Sequence, residues 1–358
     1  MTNPFMPIFD GHNDTLLRIH QEQAKGSDFS FFKENSTGHL DLPRAKAGGL
    51  AGGIFAIFTP LPPDSPERAE QWGLEIFDGG YRKKLNGAID PEYARTFTDE
   101  VIEKLYALEA ESRGAIKVVR SAIEVQNCIA DGTLAVVLHF EGAEAIQKDL
   151  SNLETYYQKG LRSLGIVWSR PNLFAEGVPF AFPSSPNTGP GLTPEGSDLV
   201  RECNRLGIVV DLAHINEKGF WDVARVSSAP LVVSHTNVHA LLPSTRNLTD
   251  SQIDAVGASD GIIGLNFEPM QIGIDGSPAA DVPLSALIRH VNYIANRIGI
   301  DHVAFGSDFD GTTMPTALGD ASGVQKLVQA LHEGGLNHDA IEKVAWRNWL
   351  RVLNATWK

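Results

Sequence analysis

Short runs of apolar and β-branched residues recur along this chain, separated by stretches whose apolar positions repeat with a helical period. The runs cover residues 7–9, 53–58, 134–139, 163–167, 208–212, 231–234, 262–267 and 302–306. They are almost continuously apolar rather than alternating, as strands of a parallel sheet covered by helices must be. Helical patterns fill the gaps. Residues 98–111 carry Val101, Ile102, Leu105 and Leu108 on one face, segments 150–159 and 194–206 precede the fourth and fifth strands, and Asp250 or Ser251 is suited to cap a helix running to Val256.

Eight strands alternating with helices predict an α/β fold, a (β/α)₈ TIM barrel built as a single domain over residues 1–358. A doubly wound sheet is the alternative. It would usually place a glycine-rich turn after its first strand, and Gly11-His12-Asn13-Asp14 is not one. Two segments exceed ordinary connections: residues 60–93, rich in Pro, Gly and charge, and residues 172–196, with Pro183-Ser184-Ser185-Pro186-Asn187-Thr188-Gly189-Pro190-Gly191 inside. Loops of that length at this end of a barrel serve as lids or binding loops.

Composition narrows the partners. With 358 residues, 42% of them hydrophobic, the chain can bury a large core. Its net charge of −14 disfavours nucleic acid and anionic membrane and leaves a small molecule as the expected partner. Met1-Thr2-Asn3-Pro4-Phe5-Met6 has neither the basic nor the apolar stretch of an export signal, and no apolar run is long enough to span a bilayer, so a soluble cytoplasmic protein is expected. Cys128 and Cys203 are too few for a disulfide scaffold and read as buried free thiols. No Gly-X-Ser-X-Gly elbow, phosphate loop or His-Glu-X-X-His helix is present, and Gly48-Gly49 and Gly52-Gly53 suit a turn and close strand packing.

Candidate chemistry collects at the predicted strand ends, where barrels of this kind place functional side chains. The first strand ends in His12 and Asp14, the third in His139-Phe140-Glu141-Gly142, the fifth in Asp211-Leu212-Ala213-His214, the sixth in Ser234-His235 and the eighth in Gly306-Ser307-Asp308-Phe309-Asp310-Gly311. Residues i and i+2 of a strand point the same way, so His12 and Asp14 offer an imidazole and a carboxylate side by side. That pair suits a hydrolytic metal. Each residue alone has an ordinary structural use, as a cap, a turn former or a satisfied core histidine. Five strands delivering such groups to one mouth point to a metal site.

These motifs, together with Arg246-Asn247, resemble the membrane dipeptidase (renal dipeptidase) family, peptidase family M19, in order from Asp10 to about Leu353. The resemblance implies a metal-dependent hydrolase barrel of the amidohydrolase type with two Zn²⁺ ions. His12 and Asp14 would hold one ion, His214 and His235 the other, and Glu141 would bridge both. A hydroxide shared by the two ions would be the nucleophile. Asp308 matches the family's proton-transfer residue. Arg246 matches the arginine that binds the substrate carboxylate or the scissile carbonyl. Two divalent cations are balanced by Asp14, Glu141, Asp308 and the hydroxide, so an arginine fork is needed to draw in an anion. Asp310, next to Gly311, suits a structural acid and is left out of the site. Family members also form homodimers, which nothing in the surface pattern tests.

The chain departs from the family at one place. Familiar members carry a histidine after the fourth strand that polarises the substrate carbonyl, and Trp168 stands there instead. Its indole can donate one hydrogen bond and wall a pocket but cannot protonate an oxyanion. Arg170, in Ser169-Arg170-Pro171-Asn172, is a second candidate for the substrate carboxylate. The leading expectation is a dipeptidase acting on free dipeptides, with L-Xaa-L-Xaa and L-Xaa-D-Xaa both in range. An N-acyl amino acid deacylase or lactonase on the same site is the alternative, and a barrel retained only for binding is the non-enzymatic one. Histidine and carboxylate ligands also accept Co²⁺, Mn²⁺ or Fe²⁺.

Overall fold

The computed structural model describes residues 5–68, 71 and 73–358. Residues 1–4, which open the N-terminal segment read above for an export signal, and residues 69, 70 and 72 of the first excursion lie outside the described residues. Twelve strands are described: β1 Ile8–Asn13, β2 Leu50–Phe58, β3 Glu75–Phe77, β4 Gly80–Lys83, β5 Ile116–Val118, β6 Leu134–Glu141, β7 Leu161–Gly165, β8 Phe180–Phe182, β9 Val209–Asp211, β10 Val232–Thr236, β11 Ile262–Leu265 and β12 Val303–Phe305. Eight of them run parallel in the order β1-β2-β6-β7-β9-β10-β11-β12, with β5 paired to the start of β6. All eight coincide with the apolar runs of the sequence.

The sheet closes between its first and last strands. Asn13 bridges Phe309 in parallel, the Asp308 N–H donates to the His12 carbonyl at 2.9 Å, and the Asp14 N–H donates to Phe309 at 2.8 Å. Asp10 ties the seam: its carboxylate accepts from the Ser307 N–H at 2.7 Å and from the Ser307 hydroxyl at 2.8 Å.

Apolar burial then decides which end of the barrel is open. Phe9, Ile54, Val137, Val209, Val232, Ile262 and Ala304, from seven of the barrel strands, pack together with Trp349, Val352 and Leu353 of the helix Asn348–Thr356. The Trp349 Nε1–H donates to the Phe305 carbonyl at 2.9 Å. Gly11 lets this plug seat, because a Cβ there would stand 2.4 Å from Trp349 Cζ2 and 2.6 Å from the Ser234 carbonyl. With the lumen filled from that side, the C-terminal strand ends are left for chemistry. A second apolar layer lies between the strands and the helices outside them.

The two excursions meet. β3, β4 and β8 form an antiparallel sheet in which Tyr81 pairs with Phe182, Arg82 with Ala181 and Lys83 with Phe180. Tyr81, Phe182, Leu242 and Met270 pack beneath it.

Some boundaries differ from expectation. The helix expected over 98–111 begins at Pro91, where Asp90 accepts from the Glu92 and Tyr93 N–H groups. The helix expected over 150–159 is Leu153–Gln158, because Leu150 adopts a left-handed φ of 59°. Neither Asp250 nor Ser251 caps the helix Asp250–Ala258: Thr249 does, in a capping box with Gln252. The helix Pro194–Leu206 lies where it was expected, and Cys128 and Cys203 are free and buried. No described helix is long and apolar enough to cross a membrane.

Candidate metal centre

β1 delivers His12 fully buried, and the chain turns at Asp14 into the helix Thr15–Ala24. The β1–β2 register shifts between Asp10 and Asn13, so strict alternation does not hold there. His12 and Asp14 nevertheless converge, with Nε2 and Oδ2 3.5 Å apart. Asp14 is the N-cap of its helix, yet its carboxylate makes no cap bond. Asn13 Oδ1 accepts from the Thr15 N–H instead, and Asp14 is left for the site.

Glu141, the last residue of β6, forms the centre. Its Oε1 lies 3.2 Å from His214 Nε2, 3.7 Å from His12 Nε2 and 3.8 Å from His235 Nε2. His214 and His235 point their Nε2 atoms at each other across 3.0 Å. His214 adopts a φ of 65° and Asp308 one of 63°, left-handed conformations that cost of order 1 kcal/mol or more and recur where side chains are aimed at a site.

The outer ring nitrogens are tied down. The Ser234 hydroxyl donates to Asp211, so its oxygen accepts from His235 Nδ1–H at 2.8 Å and leaves the Nε2 lone pair facing inward. Asp211 is held by the Ser234 N–H at 2.8 Å and the Ala213 N–H at 3.1 Å. His214 Nδ1 lies 2.9 Å from the Ser169 hydroxyl. Behind them His139 stands with Nδ1 2.9 Å from the Ser163 hydroxyl and Nε2 3.7 Å from Asp211.

The electrostatics call for cations. Burial holds the His214 and His235 imidazoles well below their usual range, so they are neutral donors. Burial also lowers His12, but the Glu141, Asp14 and Asp308 carboxylates outweigh it and raise the group to about 10. Burial and the neighbouring Asp14 push Glu141 well above the carboxylate range, and burial takes Asp308 to about 6. Neither His12 ring nitrogen has a hydrogen-bond partner among the described residues. Buried ring nitrogens without partners, paired with carboxylates that resist ionising, fit divalent metal ions. His12, Glu141 and His235 form one candidate ligand set, His12, Asp14 and Asp308 a second, and His12, His139 and Asp211 a third, each with donor atoms within 4.8 Å of one another.

A pocket of about 540 Å³ opens in front of these groups. Asp308 faces it, with the Asn266 amide donating to its Oδ2 at 2.8 Å. Arg246 is buried along the wall. One Nη donates to the His235 carbonyl at 3.2 Å, while Nε has no partner among the described residues. Trp168 packs edge-on against Phe58 at 4.9 Å between ring centroids and lies 5.8 Å from the His214 ring.

Arg170 is a correction. Its guanidinium is fully buried outside the pocket lining, donating to Glu144 at 2.7 Å and to the Thr59 carbonyl at 2.8 Å. It stands over the Phe58 and Trp168 rings and backs the wall instead of meeting a ligand. Asp310 accepts from the Thr15 hydroxyl at 2.9 Å and the His39 N–H at 2.6 Å, which suits a structural acid. Sequence reasoning missed Asn266 and the orienting roles of Ser169 and Ser234. Asn266 was accessible in principle, as a polar residue directly after the apolar β11.

The family described as membrane dipeptidase (peptidase family M19) matches residues 4–358. A metallo peptidase from Rhodobacter sphaeroides, solved with a phosphinate mimic of the dipeptide L-Ala-D-Ala, is 45% identical, with 99% of this chain and 100% of that chain covered and a TM-score of 0.93. A solved dipeptidase of family M19 is also 45% identical, covering 98% of this chain and 99% of its own, with a TM-score of 0.91. Among curated proteins, dipeptidase tcpJ of Claviceps purpurea (strain 20.1) is 29% identical over 96% of this chain and 76% of its own length.

Proposed function

Because the chain belongs to the membrane dipeptidase family, peptidase family M19, we propose that it is a two-zinc dipeptidase that hydrolyses the peptide bond of free dipeptides. The observation that carries this reading is Glu141 Oε1 standing among the Nε2 atoms of His12, His214 and His235. In that arrangement His12 and Asp14 would hold one ion and His214 and His235 the other, with Glu141 contributing to both. The donor set suits Zn²⁺ and also admits Co²⁺, Mn²⁺ or Fe²⁺. When bound, the ions supply Lewis acidity toward water and toward the scissile carbonyl oxygen.

The remaining work falls to the chain. Asp308, steadied by Asn266, takes a proton from the attacking water and returns it to the leaving amine. Arg246 offers its guanidinium to the substrate carboxylate, a role suited to its buried, partly unsatisfied nitrogens. Trp168, Phe58 and Phe180 wall the pocket and exclude bulk water. The ligand of the Rhodobacter sphaeroides relative supports tolerance of a D-residue on the C-terminal side.

Trp168 at the family histidine's place favours a second reading, an N-acyl amino acid deacylase or lactonase on the same centre. Product analysis on L-L and L-D dipeptides against N-acetyl amino acids and lactones separates the two. Release of free amino acids from dipeptides supports the first, and cleavage of the acylated compounds alone supports the second.

A further inference from the structure

The pocket holds a buried acid that none of these steps uses. Glu268 follows β11 by three positions, is 8% exposed and lines the same cavity as Asp308, Arg246 and Tyr81. Its Oε1 accepts from the Met270 N–H at 3.4 Å, a long contact at the head of the four-residue helix Pro269–Ile272, and the Thr313 backbone adds a second donor. Among the described residues Glu268 has no ion pair, and none of the candidate metal-ligand sets includes it. Burial, reinforced by Asp308, raises its carboxyl to about 8.

A buried carboxylate without a cation is costly, so the group holds its proton until a ligand supplies a positive charge. The pocket already carries the complementary feature in Arg246, whose guanidinium makes no ion pair with Glu268. Among the described residues neither the Arg246 cation nor the Glu268 carboxyl has an ion-pair partner, and both line one cavity, so the pair matches a zwitterion whose ammonium would draw the carboxyl into its ionised form. A free dipeptide is such a molecule. An N-acyl amino acid carries the carboxylate but no ammonium, and in this pocket it would leave Glu268 unmatched.

We propose that Glu268 accepts the free α-ammonium group of the substrate and so makes a free N-terminus a condition of tight binding. This rests on the dipeptidase reading and deepens it. Glu268 acts on recognition, whereas Asp308, held by Asn266, handles the proton.

The test uses the zinc-reconstituted full chain and its Glu268→Gln variant. Glutamine keeps a carbonyl acceptor for the Met270 N–H, so a role limited to helix capping predicts wild-type behaviour. Alanyl-alanine is compared with propionyl-alanine, which preserves shape and carboxylate but lacks the ammonium. Calorimetry follows a non-hydrolysable phosphinate dipeptide analogue with and without its amine. The wild type should favour the amine-bearing member of each pair by about tenfold or more. Glu268→Gln should raise KM for alanyl-alanine by about tenfold or more, with kcat changed far less, while propionyl-alanine and metal content stay as in the wild type.

Equal binding of both phosphinates by the wild type would overturn the proposal without reference to any variant. So would a Glu268→Gln enzyme that retains the wild-type KM and amine preference. A wild type that holds its metal yet cleaves no dipeptide would instead overturn the dipeptidase reading on which the proposal rests.

Discussion

Glu141 Oε1 lies 3.2 Å from His214 Nε2, and the same oxygen is within 3.8 Å of the Nε2 atoms of His12 and His235. One carboxylate from β6 thus joins groups delivered by β1, β10 and the turn after β9. Glu141→Ala should therefore drop metal content from about two ions per chain to one or none, with loss of turnover, while the fold persists. Plasma emission analysis of the dialysed variant beside its circular dichroism spectrum checks this. Full metal content would remove Glu141 from the centre.

Asp308→Asn should behave differently. The amide can still pair with Asn266 but cannot carry a proton, so metal content should hold while kcat falls by about 10² to 10⁴. Wild-type turnover at full metal loading would dismiss the proton-transfer role.

These two residues also show what was legible in the sequence. Strands buried on both faces write themselves as near-continuous apolar runs, and all eight barrel strands could be found that way. Chemistry-bearing residues at the ends of those runs followed directly from the architecture. Tertiary partners did not. Arg170 read as a pocket residue because nothing local announces Glu144 as its buried partner. Pairing of β4 with β8 joins excursions about a hundred residues apart, and such non-local contacts leave no periodic trace. Residue type alone does not single out Thr249 as the cap, since Asp250 and Ser251 beside it are equally good capping types.

Arg246→Ala should leave the metal in place and lower kcat/KM on dipeptides by roughly 10²-fold, mainly through KM. Arg246→Lys should recover only part of this, since an ammonium lacks the planar fork. Steady-state kinetics with dipeptides and with their C-terminal amides is the check. The amides lack the carboxylate, so the mutation should barely affect them, and an equal loss on both would argue against carboxylate binding.

Stability should carry a pH signature away from the centre. His290, buried on the helix Leu284–Ile298, accepts the Val238 N–H on Nδ1 at 3.1 Å, and burial lowers its pKa to about 4. The unfolded chain therefore binds this proton first as pH falls. The stabilisation is full above about pH 6.5 and is lost as pH drops toward 4. Urea unfolding of the chelated protein at pH 7 and pH 4.5 should show a gap about 2 kcal/mol larger in the wild type than in His290→Gln. Identical gaps would refute the assignment.

Metal-dependent dipeptide hydrolysis is tested most directly on zinc-reconstituted wild type, by metal analysis paired with a free-amine assay over L-L and L-D dipeptides. About two ions per chain are expected, with release of free amino acids that chelation abolishes and added Zn²⁺ restores. Two ions without dipeptide cleavage, or cleavage that survives complete chelation, would contradict the account.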